Sequence, residues 1–234
     1  MELLRKCLAR WNIDIDDTKL DMFEEYYKLL ISWNDKINLT SVTKKDDVII
    51  KHFTDSLALL NYLDISGKNI IDIGTGAGFP GIPLKIMCPS CNIVLLDSLN
   101  KRVSFLDKVI NTLGLSGIHA VHGRAEELAF DIDYRERFDL AVSRAVADLR
   151  VLAEYCLPFV DLSGLFISYK GGNIEEELSG SIHSISILGG SFDRIEKFLL
   201  PATDIERSFV FISKIQNTSD RFPRKAGRPL KKPL

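Results

Sequence analysis

Three glycines alternate at positions 74, 76 and 78 in the stretch IIDIGTGAGFPGIPL (residues 70–84), directly after an apolar run. The next apolar run, NIVLLDS, carries Asp97, 21 positions after Gly76. Glycines placed this way let a backbone turn tightly and approach a ligand closely. A carboxylate at the second strand end can accept hydrogen bonds from both hydroxyls of a ribose. The two features together describe a nucleoside site.

The phosphate chemistry is missing. A dinucleotide fingerprint requires glycine at its first, third and sixth positions; counted from Gly74, the sixth is Phe79, with Gly78 one place early. A P-loop requires Gly-Lys followed by Ser or Thr, and no cation follows the glycines until Lys85. An adenosine-type ligand without a phosphate clamp remains, and S-adenosylmethionine fits that description.

Such a loop must sit where a strand runs into a helix. Short apolar runs (NIIDI, CNIVLLD, GIHAVH, FDLAVS, GLFISYK) alternate after Gly67 with amphipathic stretches (KRVSFLDKVINTL, DLRVLAEYC, NIEEELSGSIHSISIL). Gly114 and Gly189 close two of these stretches, and Asp148 opens the third. The alternation implies an α/β chain with a doubly wound, mostly parallel sheet. FLLP and RSFVFISKI read as a closing pair of strands, for seven in all. Ligands bind beyond the carboxyl ends of such strands. Pro80 and Pro83 suit a first helical turn, where a missing N–H costs nothing.

Upstream, apolar residues recur at helical spacing from Thr18 to Trp33, with Thr18 and Asp21 placed as a capping box. A second helix is expected from Thr43 and Asp46, with Ile49, Phe53, Leu57 and Leu60 on one face. WNDKINLTSVT between them reads as a loop. The expected organisation is a helical N-terminal extension (1–65), a catalytic domain (66–216) and a basic C-terminal tail (217–234).

A hydrophobic content of 46% with 26% charged residues supports a folded domain with a sizeable core. No apolar run approaches the roughly 20 residues of a membrane span, and the charged start MELLRKCLARWNID is unlike a signal peptide. A cytoplasmic, monomeric protein is the default expectation. Four cysteines are too few for a disulfide framework in 234 residues. Cys88-Pro-Ser-Cys91 has metal-ligand spacing, but no second pair completes it, so no metal is expected.

The charge is asymmetric. Six of the 30 cations and none of the 32 acids lie in the last fourteen residues, RFPRKAGRPLKKPL, so the tail carries +6 and the rest of the chain −8. A polyanion would meet the tail first. Arg221, Arg224, Lys225, Arg228, Lys231 and Lys232 are its candidate phosphate contacts, and Pro223, Pro229 and Pro233 favour an extended tail.

WNDKINLTSVT with KHFTDSL, DIGTGAGFPGIPLKI, DSLNKRVSFL, GRAEE, SRAVADL and the terminal FPRKAGRPLKKPL span nearly the whole chain. In these segments the chain resembles the RsmG family, also called glucose-inhibited division protein B, the small-subunit ribosomal RNA guanine-N7 methyltransferases. The resemblance implies a class I, Rossmann-like fold that uses S-adenosylmethionine. It implies cofactor contacts from Gly74, Phe79, Ala125, Glu126 and Arg144, beside those that Gly76, Gly78 and Asp97 suggest on their own. It further implies, as target, N7 of one guanine in the decoding-region loop of 16S rRNA, presented as free RNA or in the small ribosomal subunit.

The residues also exclude rivals. Amino-group methyltransferases carry an Asx-Pro-Pro-aromatic run where this chain reads SRAV, and cytosine C5 enzymes need a Pro-Cys nucleophile that it lacks. Guanine N7 holds a lone pair in its neutral form, so no general base is expected. Asn38, His52 and Asp55, with Ser56, are candidates for the RNA face, against the alternatives of a loop cap for Asn38 and a surface pair of His52 with Asp55 or Ser56. Arg144 has two possible jobs, cofactor contact and phosphate contact, and Lys170 is either a pocket rim or a charge at a strand end. Two other functions stay open on the residues alone: a small-molecule methyltransferase, and an RNA-binding assembly factor with a vestigial pocket.

Overall fold

A computed structural model describes residues 1–144 and 147–234; Ala145 and Val146, inside the SRAVADL run, lie outside the described residues. Helices α1 (Glu2–Ala9) and α2 (Asp17–Ile37) come first. A continuous helical run follows, made of α3 (Lys45–Val48), a π-helical turn (Ile49–Thr54), α4 (Asp55–Leu57) and a 3-10 turn (Ala58–Asn61). Then come β1 (Asn69–Ile73), α5 (Gly81–Met87), β2 (Asn92–Asp97), α6 (Asn100–Leu113), β3 (Ile118–His122) and α7 (Ala125–Leu128). The chain continues through β4 (Phe138–Arg144), α8 (Leu149–Cys156), β5 (Val160–Gly171), α9 (Glu175–Ile187), β6 (Gly190–Leu199), β7 (Glu206–Lys214) and α10 (Arg228–Lys231).

The seven strands form one sheet in the order β3-β2-β1-β4-β5-β7-β6, parallel except for β7 against both its neighbours. Chain direction across the sheet reverses between β1 and β4, the place where open α/β sheets bind ligands. Consecutive strand residues point to opposite faces, and both faces are apolar. Ile70, Ile93, Leu95, Leu140, Val142, Ile167, Phe209 and Phe211 face one core, shared with α1, α2, α5 and α6. Ile71, Ile73, Val94, Leu96, Ala141, Phe166, Val210 and Ile212 face the other, shared with α7, α8 and α9. The N-terminal helices therefore complete a layer of the sheet's own core.

Two local expectations are corrected. α2 begins one residue before Thr18, and its cap is Asp16, whose Oδ1 accepts from the Lys19 amide at 2.8 Å. The helix continues through WNDKI to an αL stop at Asn38 (φ 50°), so only the second half of the expected loop is loop. Asp148, by contrast, caps α8 through the Arg150 amide, and Gly114 ends α6 in the αL conformation. No helix among the described residues is long and apolar enough to cross a membrane.

Candidate functional site

The chain leaves β1 into a turn in which Gly74, Gly76 and Gly78 all have positive φ (72°, 63° and 94°), a backbone region that side chains enter at a cost. At Gly78 packing adds a second requirement, because a Cβ there would lie 2.7 Å from the Tyr26 hydroxyl oxygen. That hydroxyl donates to the carbonyl of Ala77, so α2 clamps the loop from outside. From inside, the amides of Gly74 and Thr75 donate to the Leu96 carbonyl at 2.9 and 3.1 Å.

Asp97, 3% exposed at the end of β2, is the organising acid. Its Oδ2 accepts from the Gly76 amide at 2.9 Å and its Oδ1 from the Leu99 amide at 2.9 Å. Oδ2 also takes a longer contact from Arg102 Nη1 at 3.4 Å, so Oδ1 is the oxygen that keeps a further lone pair. A second carboxylate, not singled out in the sequence, lies beneath the loop: Asp72 Oδ2 accepts from Thr75 Oγ1 at 2.6 Å and from the Gly81 amide at 2.8 Å, while its buried Oδ1 has no partner.

A cavity of about 160 Å³ opens beside Asp97, lined by Ile73, Gly74, Leu96, Asp97, Ser98, Gly123, Arg124, Ala125, Glu126, Tyr155 and Leu230. The ends of β1, β2 and β3 thus bring Gly74, Asp97, Ala125 and Glu126 to one place. With two carboxylates and an apolar wall, the cavity fits a ligand rich in donors, such as a ribose diol and the amino group of adenine. Glu126 already holds a partner that the sequence does not reveal: its Oε1 accepts from the amide of Gly227 in the tail at 2.9 Å.

Phe79 and Arg144 lie outside that cavity's lining and meet on the side of the loop nearer the N-terminal helices. The Phe79 ring stacks on His52 (4.7 Å between centroids, 24° apart), and the Arg144 guanidinium lies 5.0 Å from its centroid. Arg144 Nη1 donates to Asp55 Oδ2 at 3.0 Å and to the Lys51 carbonyl at 3.2 Å, and Arg207 Nε donates to Asp55 Oδ1 at 3.1 Å. Asp55 is 4% exposed. Asp55, a candidate for the RNA face, is thus an interior group tied to Arg144 and Arg207. The alternative of a surface pair with His52 is not formed either, and the buried Ser56 hydroxyl donates to the His52 carbonyl at 2.6 Å.

Two of these groups titrate in opposite senses. Burial, with the Arg144 cation beside it, pushes His52 down to about 4. The unfolded chain takes up that proton near 6.5, so the His52 contribution to stability is present above pH 6.5 and lost as pH falls toward 4. Burial pushes Asp72 up to about 7, so its contribution is complete below the unfolded value near 4 and lost as pH rises through 7. Urea titrations from pH 4 to 7 check both. The stability difference between wild type and His52→Gln should grow with pH and that for Asp72→Asn should shrink, each by at most about 1.4 kcal/mol per pH unit. Parallel curves for all three proteins would refute the assignment.

The remaining candidates separate by exposure. Asn38 is exposed at the stop of α2. Lys170 is engaged, donating to Glu177 Oε1 at 2.6 Å and to the Ala147 carbonyl at 2.7 Å, which makes it a strand-end charge with a partner. Arg221, Lys225, Arg228, Lys231 and Lys232 are on the surface. Arg224 is not, because its guanidinium forks onto the fully buried Glu154, with Nη2 2.6 Å from Oε2 and Nε 2.9 Å from Oε1. Nor is the tail extended throughout: Arg228–Lys231 forms a helical turn that Pro229 tolerates because it sits in the first turn. Arg221, Lys225 and Arg228 line an open cavity with Glu126, Glu127 and the half-exposed Phe130. All four cysteines are free thiols, and among the described residues no three His, Cys, Asp or Glu gather as metal ligands.

The chain is similar to known proteins over its whole length. A family model described as GidB, rRNA small subunit methyltransferase G, matches residues 19–206. The ribosomal RNA small subunit methyltransferase G of Lachnoclostridium phytofermentans is 51% identical over 228 residues, covering 97% of this chain and 94% of that protein. The protein of the same description from Desulforamulus reducens is 49% identical over 232 residues, covering 99% and 97%. Among solved structures, M. jannaschii TYW2 in complex with AdoMet superposes with a TM-score of 0.56 at 11% identity, over 75% of this chain and 80% of that one. A crystallised mutant of MtNAS superposes with a TM-score of 0.56 at 16% identity, over 85% and 75%. At such identities the structural likeness speaks for the fold.

Proposed function

This chain belongs to the rRNA small subunit methyltransferase G family, and from that premise we propose that it methylates N7 of one guanine in the decoding-region loop of 16S rRNA, using S-adenosylmethionine. The observation that carries the cofactor half is the Asp97 carboxylate, which holds the Gly76 amide at 2.9 Å and borders the same cavity as Gly74, Ala125 and Glu126. When bound there, S-adenosylmethionine supplies an electrophilic sulfonium methyl group.

Asp97 and Glu126 would accept hydrogen bonds from the ribose and adenine, and Gly74 and Gly76 allow close backbone approach. Gly78 and Phe79 secure the loop against α2 and the helical run. No residue need remove a proton, since the N7 lone pair is free in neutral guanine. His52 is neutral at physiological pH, with its value lowered to about 4, and so adds no charge. What the chain contributes is alignment and exclusion of water. The N7 edge of A-form RNA faces a groove too narrow for side chains, so the base must be presented from a loop or extruded. The surface cations Arg221, Lys225 and Arg228 supply positive charge for the strand around it, with Arg144, paired with Asp55 at the end of β4, as a further cation.

The test is nucleoside mass spectrometry on small-subunit rRNA from a strain lacking this protein. One 7-methylguanosine should disappear, returning with the wild-type chain and not with Asp97→Ala. Unchanged rRNA in the deletion strain would refute the proposed target.

A further inference from the structure

By composition the tail is a polyelectrolyte, yet the fold anchors it like core. Arg135 holds its start, donating to the carbonyls of Thr218 and Phe222 at 2.7 and 3.1 Å. Glu154, with no exposed surface, accepts both the Arg224 amide (2.7 Å) and its guanidinium. The Gly227 amide donates to Glu126, Pro229 is buried, and the Ser184 hydroxyl donates to the Leu234 backbone oxygen at 2.8 Å. A strand of cations meant only for phosphate needs none of these contacts.

Held at both ends, the segment carries Leu230 into the wall of the nucleoside cavity, where it is 59% exposed. The cavity measures about 160 Å³, roughly half the lower bound of about 300 Å³ common for small-molecule sites. Apart from the exposed Ser98 and Arg124, its other walls are strand ends, the start of α7 and the buried Tyr155 of α8, which cannot retreat without breaking the sheet or its core. Leu230, on a single helical turn, can.

We propose that the C-terminal tail is a movable wall of the cofactor site: Leu230 packs against the adenine of bound S-adenosylmethionine, and the Arg224–Glu154 pair is the latch that positions it. This rests on the adenosine end occupying the cavity beside Asp97. An apolar side chain more than half exposed at the mouth of a nucleoside pocket gains burial when a ring lies against it. The same segment presents Lys225 and Arg228 outward, so its position is felt by both ligands.

Calorimetric titration of the full-length protein with S-adenosylmethionine tests this. Leu230→Ala should weaken binding about tenfold, or about 1.4 kcal/mol, with an unchanged thermal midpoint, and Leu230→Met should restore it. Arg224→Met strands a buried carboxylate and can unfold the chain, so the latch is tested with the paired Glu154→Leu/Arg224→Met variant, for which weakened cofactor binding in a folded protein is expected. Unchanged or tighter binding by Leu230→Ala, alongside lost binding by Asp97→Ala, overturns the role of the tail and leaves the pocket standing. If Asp97→Ala also binds normally, the pocket reading itself falls, and the tail inference with it.

Discussion

Replacing Asp97 with alanine is expected to weaken S-adenosylmethionine binding at least a hundredfold in a calorimetric titration, with the sheet still folded. Two losses combine. The carboxylate now fixes the amides of Gly76 and Leu99 at 2.9 Å each, so its removal frees the glycine loop and the start of α6. It would also remove the acceptors for the ribose hydroxyls. Hydrogen bonds to a charged group contribute about 1.5–3 kcal/mol each, and a hundredfold loss requires about 2.8 kcal/mol, so two such bonds suffice. Asp97→Asn should fall between, since one carboxamide oxygen still accepts while its NH₂ faces an amide that also donates. Binding by Asp97→Ala within threefold of wild type would sink the assignment of this cavity.

The placement of Asp97 is readable because strand ends and glycine turns are local patterns. Short apolar runs locate six of the strands, and one turn chemistry locates the loop between β1 and α5. β6 (Gly190–Leu199) is missed except for its end, because FLLP covers only Phe198 and Leu199 of it and the rest is mostly polar and, after Gly190, exposed or half-buried. Pairings across long sequence separations are not readable. Glu154 stands on a helix face that the apolar spacing marks as buried, and a buried carboxylate requires a cation. Its partner, Arg224, lies 70 residues away in a tail that composition marks as solvated. A Glu within the buried stretch EYCL, in a chain whose tail has cations and no acids, is the available signal. Asp55 and Arg144 are separated by 89 residues and Asp55 and Arg207 by 152, so His52 and Asp55, read singly, look like surface groups. Sequence reasoning gives Arg144 to a ligand, and its contacts with Asp55, Lys51 and Phe79 show why a position at the end of β4 also anchors the N-terminal helices.

That anchor carries the largest expected effect on stability. Asp55→Ala should lower the free energy of unfolding in urea by about 3–5 kcal/mol, the cost of breaking a buried ion pair from one side. The Arg144 side chain is 12% exposed, and without Asp55 it faces Arg207 with no carboxylate between them. Since the native chain as a whole holds only about 5–15 kcal/mol, the variant should sit near its unfolding threshold. The unfavourable term is the unpaired charge and not a lost attraction, which makes a specific contrast. Asp55→Leu combined with Arg144→Met should recover much of the stability, because apolar replacements of a buried pair are often neutral. It should not recover methyl transfer if Arg144 also meets ligand. A double variant as unstable as Asp55→Ala would mean that the cluster acts through the carbonyl contacts of Arg144 to Lys51 and His52. A stable, fully active double variant would reduce Arg144 to a tie between β4 and the helical run, leaving the RNA phosphates to the surface cations of the tail.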